Sequence, residues 1–266
     1  IRNSNDKDID NNIDGDEDLY YLEDAKWLIY KKKLFLQGND GNNKDSYDRD
    51  LVFAAKGGHN AEPHNHNDIG SFIYHVGDTT LFTDLGSGLY SKKYFGSERY
   101  QILCTGSQGH SVPIVEGDFQ ADGHEFSAKI YDFESSDRKV FFSLDIKGAY
   151  DNGNLLSLIR SFTINSVDNT LVLEDKYEFQ DKPVSIIERF ISFYKAKLKE
   201  NGRLILEAEK DLLEIHYNQQ QLDFSCSKDY HINHHGEKES VYLLDFLVKH
   251  PGQEEVVQIK FIPTSS

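Results

Sequence analysis

Methionine is absent from the 266 residues, tryptophan occurs once, cysteine twice and proline five times. A chain that opens on Ile1 with no Met is expected to be a fragment or a processed product, so a signal peptide would already be lost. The two cysteines, Cys104 and Cys226, form no C-x-x-C pair. That excludes a thiolate metal cluster and a disulfide framework, and free thiols are the simpler reading. No apolar run reaches the roughly 18 residues that a membrane span needs. A basic excess is also missing: the formal net charge is −16, which argues against a duplex nucleic acid as partner.

What is present points to a folded β-protein. Hydrophobic residues make up 38% of the chain, too many for a disordered one. Fifteen Tyr and 17 Phe suit strands and also sugar-stacking surfaces. The charge is uneven. Residues 1–24 hold nine acids against Arg2 and Lys7, a net of −7, which leaves −9 for the rest. Residues 1–18 therefore read as an acidic tail or inter-domain linker, and 19–266 as one β domain. Inside the tail, Asp10, Asn12, Asp14, Gly15, Asp16 and Asp18 approach a calcium loop, but its twelfth position is Tyr21 instead of a bidentate Glu. From Tyr20 onward apolar residues recur with a period of two. Val140, Phe142, Leu144 and Ile146 form one such set, and Leu171, Leu173 and Tyr177 another. Turn signals fall between them, among them Gly77-Asp78 between two short strands. This is the pattern of an all-β, large antiparallel sandwich. Residues 38–50 read as a polar loop, and 186–200 are ambiguous but better as β.

The informative segment is GGHNAEPHNHNDIGSF, Gly57 to Phe72, which holds three of the eleven histidines. His64 and His66 are two apart. On a strand they would face one side, so both imidazoles are expected at one centre, with Asp68 continuing that face. Asp84 follows beyond the Gly77-Asp78 turn. His110 comes next in GSQGHSVP, where Gly106 and Gly109 allow close backbone approach. Imidazole and carboxylate donors suit zinc, and three protein ligands leave one open position. Asp68 would accept the other ring proton of a ligating His. The plainer reading, a polar loop without metal, stays open at this point. Spacing disfavours two other His-x-His families. A cupin needs Glu four or five residues past the second His, where Gly70 and Ser71 stand. The metallo-β-lactamase HxHxDH pattern fails at its last position, Ile69. His75 reads as structural, and His231, His234 and His235 as a solvated polar loop.

HNHNDIGSF (His64 to Phe72), TDLGSGLY (Thr83 to Tyr90), Glu98-Arg99-Tyr100, and GHSVP (Gly109 to Pro113) with Glu116-Gly117 and Gln120 together resemble the heparinase II/III-like polysaccharide lyases. So does YYLEDAKWLIYK (Tyr20 to Lys31). The resemblance implies that the chain is the C-terminal β domain of an enzyme whose N-terminal α-helical toroid precedes it. It implies His64 as the catalytic histidine, His66, Asp84 and His110 as zinc ligands, and Tyr90, Arg99 and Tyr100 near the substrate. The Asn usual after the third ligand is Ser111 here. The implied reaction is β-elimination on uronate-containing acidic polysaccharides such as heparin, heparan sulfate or alginate, in a secreted or periplasmic setting. The remaining catalytic groups would sit on the helical domain, so the chain alone is expected to turn over little substrate. The alternative is a non-catalytic glycan-binding or scaffold module with a structural zinc.

Overall fold

The computed structural model describes residues 9–12, 17–36, 47–208 and 211–265, and every element longer than three residues among them is a β-strand. No helix among the described residues is long and apolar enough to cross a membrane. All strand pairs are antiparallel. One sheet has six strands in the order Ile9–Asn12, Glu17–Leu22, Trp27–Leu36, Tyr47–Lys56, Phe72–Val76, Thr79–Phe82. A second has eight: Lys129–Ser136, Lys139–Asp145, Leu155–Asn165, Thr170–Phe179, Glu254–Ser265, Asp211–Tyr217, Arg203–Ala208, Ala196–Leu198. A third has four: Leu222–Ile232, Lys238–Val248, Ile186–Ser192, Ile114–Val115. His59–Asn60 pairs with Gly123–Ser127 in a small ribbon.

The period-two pattern makes the layers. In Thr170–Phe179, Leu171, Leu173, Asp175 and Tyr177 are buried, whereas Glu174 is half-buried and Lys176 exposed. Facing side chains of the eight-stranded sheet meet both smaller sheets across one core. Phe162 and Phe261 lie 5.5 and 5.9 Å from Phe72 of the six-stranded sheet, and Phe261 lies 5.6 Å from Phe190 of the four-stranded one. Burial of this aromatic area is the main stabilising contribution.

Several elements depart from the sequence reading. Within the expected 1–18 tail, Ile9–Asn12 pairs with Glu17–Leu22. Residues 1–8 and 13–16 lie outside the described residues, and with them the middle of the calcium-like run. Of the expected 38–50 loop, residues 47–50 begin a strand and 38–46 are outside the described residues. The strand expected over 80–85 ends at Phe82, because the Thr83 amide turns to Ile191 O (3.1 Å). His231 is not in a solvated loop. It closes a strand, is buried and hydrogen-bonds the Leu85 backbone. His75 ties its hairpin, bonding Thr80 Oγ1 at 3.0 Å and Gly77 O at 2.8 Å. Both cysteines are free.

One polar cluster crosses the apolar core. Arg160 lies on the inward face of its strand between Leu158 and Phe162, with no exposed surface. Its Nε and Nη2 donate to Asp175 across the same sheet (2.9 and 2.6 Å). Nη2 also reaches Glu188 Oε2 of the four-stranded sheet at 2.9 Å, and the Tyr177 hydroxyl donates to Glu188 Oε1. One guanidinium thus faces two carboxyl groups. Burial, and then the nearby Asp175 charge, push the Glu188 carboxyl well above its ordinary value of 4.5, even though Arg160 acts the other way.

A raised folded-state value means that Glu188 keeps its proton in the fold while the unfolded chain loses it above about pH 4.5. Its contribution is full below that pH and declines as pH rises toward the folded value, at up to about 1.4 kcal/mol per pH unit. Glu188→Gln mimics the protonated form. Urea denaturation from pH 5 to 8 is expected to show the variant gaining on the wild type as pH rises. Parallel profiles would show that Glu188 is ionised in the fold.

Candidate metal centre and adjoining hollow

His66, Asp84 and His110 come from three loops, and their donor atoms all lie within 4.8 Å of one another. Each loop is held by the fold. His66 sits in the 64–70 turn between the strands Tyr47–Lys56 and Phe72–Val76. The Gly70 amide donates to Lys56 O (2.7 Å), the Ser71 amide to Asp68 O (3.0 Å), and the Asn67 amide to Thr105 O (2.9 Å). Gln120 clamps Ile69 from both sides, accepting from its amide at 2.9 Å and donating to its carbonyl at 2.6 Å. Asp84 follows the strand Thr79–Phe82, and the amide of Gly86, at φ +65°, caps its Oδ1 at 2.6 Å. His110 ends the short turn Ser107–Gly109.

His110 is held on every side. Its Nε2 faces the Cys104 carbonyl at 3.0 Å. A carbonyl only accepts, so Nε2 carries the hydrogen. Nδ1 then faces Asp84 Oδ2 at 3.2 Å. Two acceptors at that distance need either a proton or a cation between them. Without a metal it is a proton. Burial works to lower the His110 value, but the hydrogen bond and charge of Asp84 outweigh it and the value is raised. Burial works to raise Asp84, and His110, the Gly86 amide and His66 outweigh it, so the carboxyl lies well below the usual range. His66 is different: burial, then the neighbouring His110, lower it to about 4. It is therefore neutral near pH 7, with a lone pair free for coordination. Two imidazoles and a carboxylate converging on one point fit a divalent ion, and three protein ligands with one open position suit zinc. Asp68 does not serve these histidines as the sequence suggested. Its Oδ1 accepts from Lys56 Nζ at 2.6 Å.

His64 does not join the centre. The expectation that His64 and His66 share a side rested on a strand, and the segment is a loop in which His64 has φ +63°. A left-handed conformation at a non-glycine residue is uncommon and is held only by its surroundings. It leaves His64 exposed, lining a hollow of about 360 Å³ together with Asn65, Tyr94, Phe95, Arg99 and Tyr100. Arg99 braces this hollow, donating to Tyr94 O (3.0 Å) and Asn65 O (2.9 Å) while stacking on the Tyr94 ring at 4.5 Å. Tyr90 lies outside the hollow's lining, 63% exposed, against Tyr94 (5.1 Å) and Phe95 (5.2 Å).

Sequence reasoning missed Arg160, Glu188 and Arg189 among the residues that hold the loops, named Gln120 only as part of the resemblance, and placed His231 in a solvated loop. Arg189 forks onto Asp245 (2.7 Å twice) and donates to Gln108 O at 3.1 Å. The available signal was a charge at an inward position of an alternating strand, as in LSLIRSF and IIERFIS.

An antiparallel sandwich assembled from several sheets in this way is also found in solved lyases. The chain superimposes on heparan sulfate lyase HepC from Pedobacter heparinus with a TM-score of 0.68 at 14% identity, covering 93% of this chain and 36% of that one. A structure described as heparinase III gives 0.66 at 13%, with the same coverage. A heparinase III gene product gives 0.63 at 13%, covering 89% and 36%. The shared fold is that of part of these lyases, and the chain spans about a third of their length. No protein-family model and no curated protein matches the sequence.

A Cβ at Gly109 would fall on the Leu103 carbonyl oxygen and also meet Leu103 Cγ at 3.1 Å. Gly109→Ala is therefore expected to displace the turn that carries His110 and to cost about 1–3 kcal/mol, the usual range for overpacking. Thermal denaturation reads this, and an unchanged midpoint would mean the turn has room that its backbone does not show.

Proposed function

We propose that this chain is the metal-bearing β domain of a polysaccharide lyase that cleaves uronate-containing acidic polysaccharides by β-elimination. The observation that carries the reading is the division of one loop. His66 turns inward to a His/Asp/His centre, while His64, two residues earlier, stands exposed in a hollow beside Arg99 and Tyr100. The likeness to structures named as heparan sulfate lyase and heparinase III supports it at the level of the fold.

Zinc is the metal the donor set favours, and when bound it would fix both imidazoles and the carboxylate in one arrangement. The chain's own residues then act as follows. His64 removes the proton from the carbon beside the uronate carboxyl. The electron pair forms the ring double bond, and the glycosidic oxygen leaves with a proton from an acid outside this chain. The Arg99 charge and the Tyr100 hydroxyl border the hollow where the carboxylate must be neutralised for charge to develop. The other groups belong on a helical domain of the same polypeptide. Such a substrate places the enzyme outside the cytoplasm, in the periplasm or secreted.

Elemental analysis of the 266-residue protein is expected to find about one zinc per chain, lost in His66→Ala and His110→Ala. No metal in a folded wild type would overturn the centre. In the complete polypeptide, His64→Ala is expected to keep the metal and lose about 10²–10⁴ of the turnover on heparan sulfate, read as ultraviolet absorbance of the unsaturated product. A second reading, a non-catalytic glycan-binding module with a structural zinc, draws on the exposed rings of Tyr90 and Phe95, each 63% exposed. Unchanged turnover in His64→Ala would favour it.

A further inference from the structure

We infer that Arg160, remote from solvent and from any substrate, is the positioning residue of the metal centre, holding two of its three ligand loops in register. The inference rests on the metal reading above. Its basis is the one part of the guanidinium that the carboxylates do not use. Arg160 Nη1 donates to two backbone carbonyls, Gly70 O at 3.0 Å and Ser111 O at 2.8 Å. Gly70 closes the turn that carries His66, and Ser111 follows His110 directly. A single planar group therefore fixes the distance between the two histidine loops.

Three observations separate this from ordinary core packing. First, the cluster is a poor way to gain stability. An Arg with two carboxyl groups in an apolar core gains little over well-packed apolar residues, because each charge must be desolvated. Second, the contacts on the loops are close and specific. Gly70 has φ +82°, and a Cβ there would meet Ile146 Cδ1 at 3.0 Å and Arg160 Cδ at 3.5 Å, so the turn packs against Ile146 with the arginine stem beside it. Third, the guanidinium is itself aimed. Asp175 takes Nε and Nη2, and Glu188, held by Tyr177, takes the remaining Nη2 direction. That leaves Nη1 pointing at the loops. Lysine cannot copy this, because an ammonium lacks the planar fork that serves carboxylates and carbonyls together.

The test uses Co²⁺ as a spectroscopic probe of the 266-residue protein, with affinity from competition and geometry from the visible d–d bands. Arg160→Lys is expected to fold and to bind Co²⁺ about tenfold or more weakly, with altered bands, in line with the effect of removing groups that orient metal ligands. Leu204→Ala, a buried change in the strand Arg203–Ala208, outside the three ligand loops, is expected to lower thermal stability while leaving affinity and bands unchanged. Should Arg160→Lys fail to fold, the combined variant Arg160→Met, Asp175→Leu, Tyr177→Phe and Glu188→Leu removes every charge of the cluster and keeps its bulk. It is expected to be stable and still to bind Co²⁺ weakly, because both carbonyls are unheld. Wild-type affinity and bands in either variant would overturn the inference while leaving the metal centre standing. A folded wild type that takes up no Co²⁺ would remove the metal reading and the inference together.

Discussion

The fold is organised around a charge in its driest place. Arg160 bridges the eight-stranded and four-stranded sheets through Asp175 and Glu188, and reaches past them to the carbonyls of Gly70 and Ser111. Sandwich cores are ordinarily closed by apolar residues, and the surrounding phenylalanines do that here. The arginine adds direction, which apolar contact lacks. It converts the fixed spacing of two packed layers into a fixed spacing of two loops at their edge.

The loops then separate two tasks that lie two residues apart in sequence. Through Gln120 at Ile69 and the Asn67 amide, the 64–70 turn is tied down just beyond His66, so His66 has little freedom. His64 takes the left-handed conformation that turns it out of the centre, and Arg99 braces the carbonyls around it. The electrostatics of the centre follow from this packing. His110 cannot turn away from Asp84 because its other nitrogen is held by Cys104 O, and His66 stays neutral because it is buried beside a second imidazole. A site preorganised in this way spends little ordering free energy when a cation arrives.

Much of this was legible in the sequence, unevenly. The period-two apolar pattern sufficed for an all-β sandwich, since side-chain alternation is a local property of strands. His66, Asp84 and His110 were legible as donor types near glycines, and the structure brings them within 4.8 Å. His64 and His66 do not share one side, because a strand would be needed for that and φ +63° at His64 breaks one. Asp68 looked like a partner for histidine and is paired with Lys56, a contact between two elements that spacing cannot reveal. His231 looked solvated among polar neighbours, and its burial depends on how the strand Leu222–Ile232 meets the 85–89 loop. Arg160 and Glu188 carried a visible signal, a charge between inward apolar residues, but their partnership is a tertiary fact.

X-ray absorption at the zinc edge of the purified chain tests the His66, Asp84 and His110 centre most directly. The expected spectrum has nitrogen and oxygen neighbours at about 2.0–2.1 Å, with the multiple scattering of two imidazoles and no sulfur near about 2.3 Å. A sulfur shell, which would bring in Cys104 or Cys226, or a spectrum of fully hydrated zinc, would contradict it.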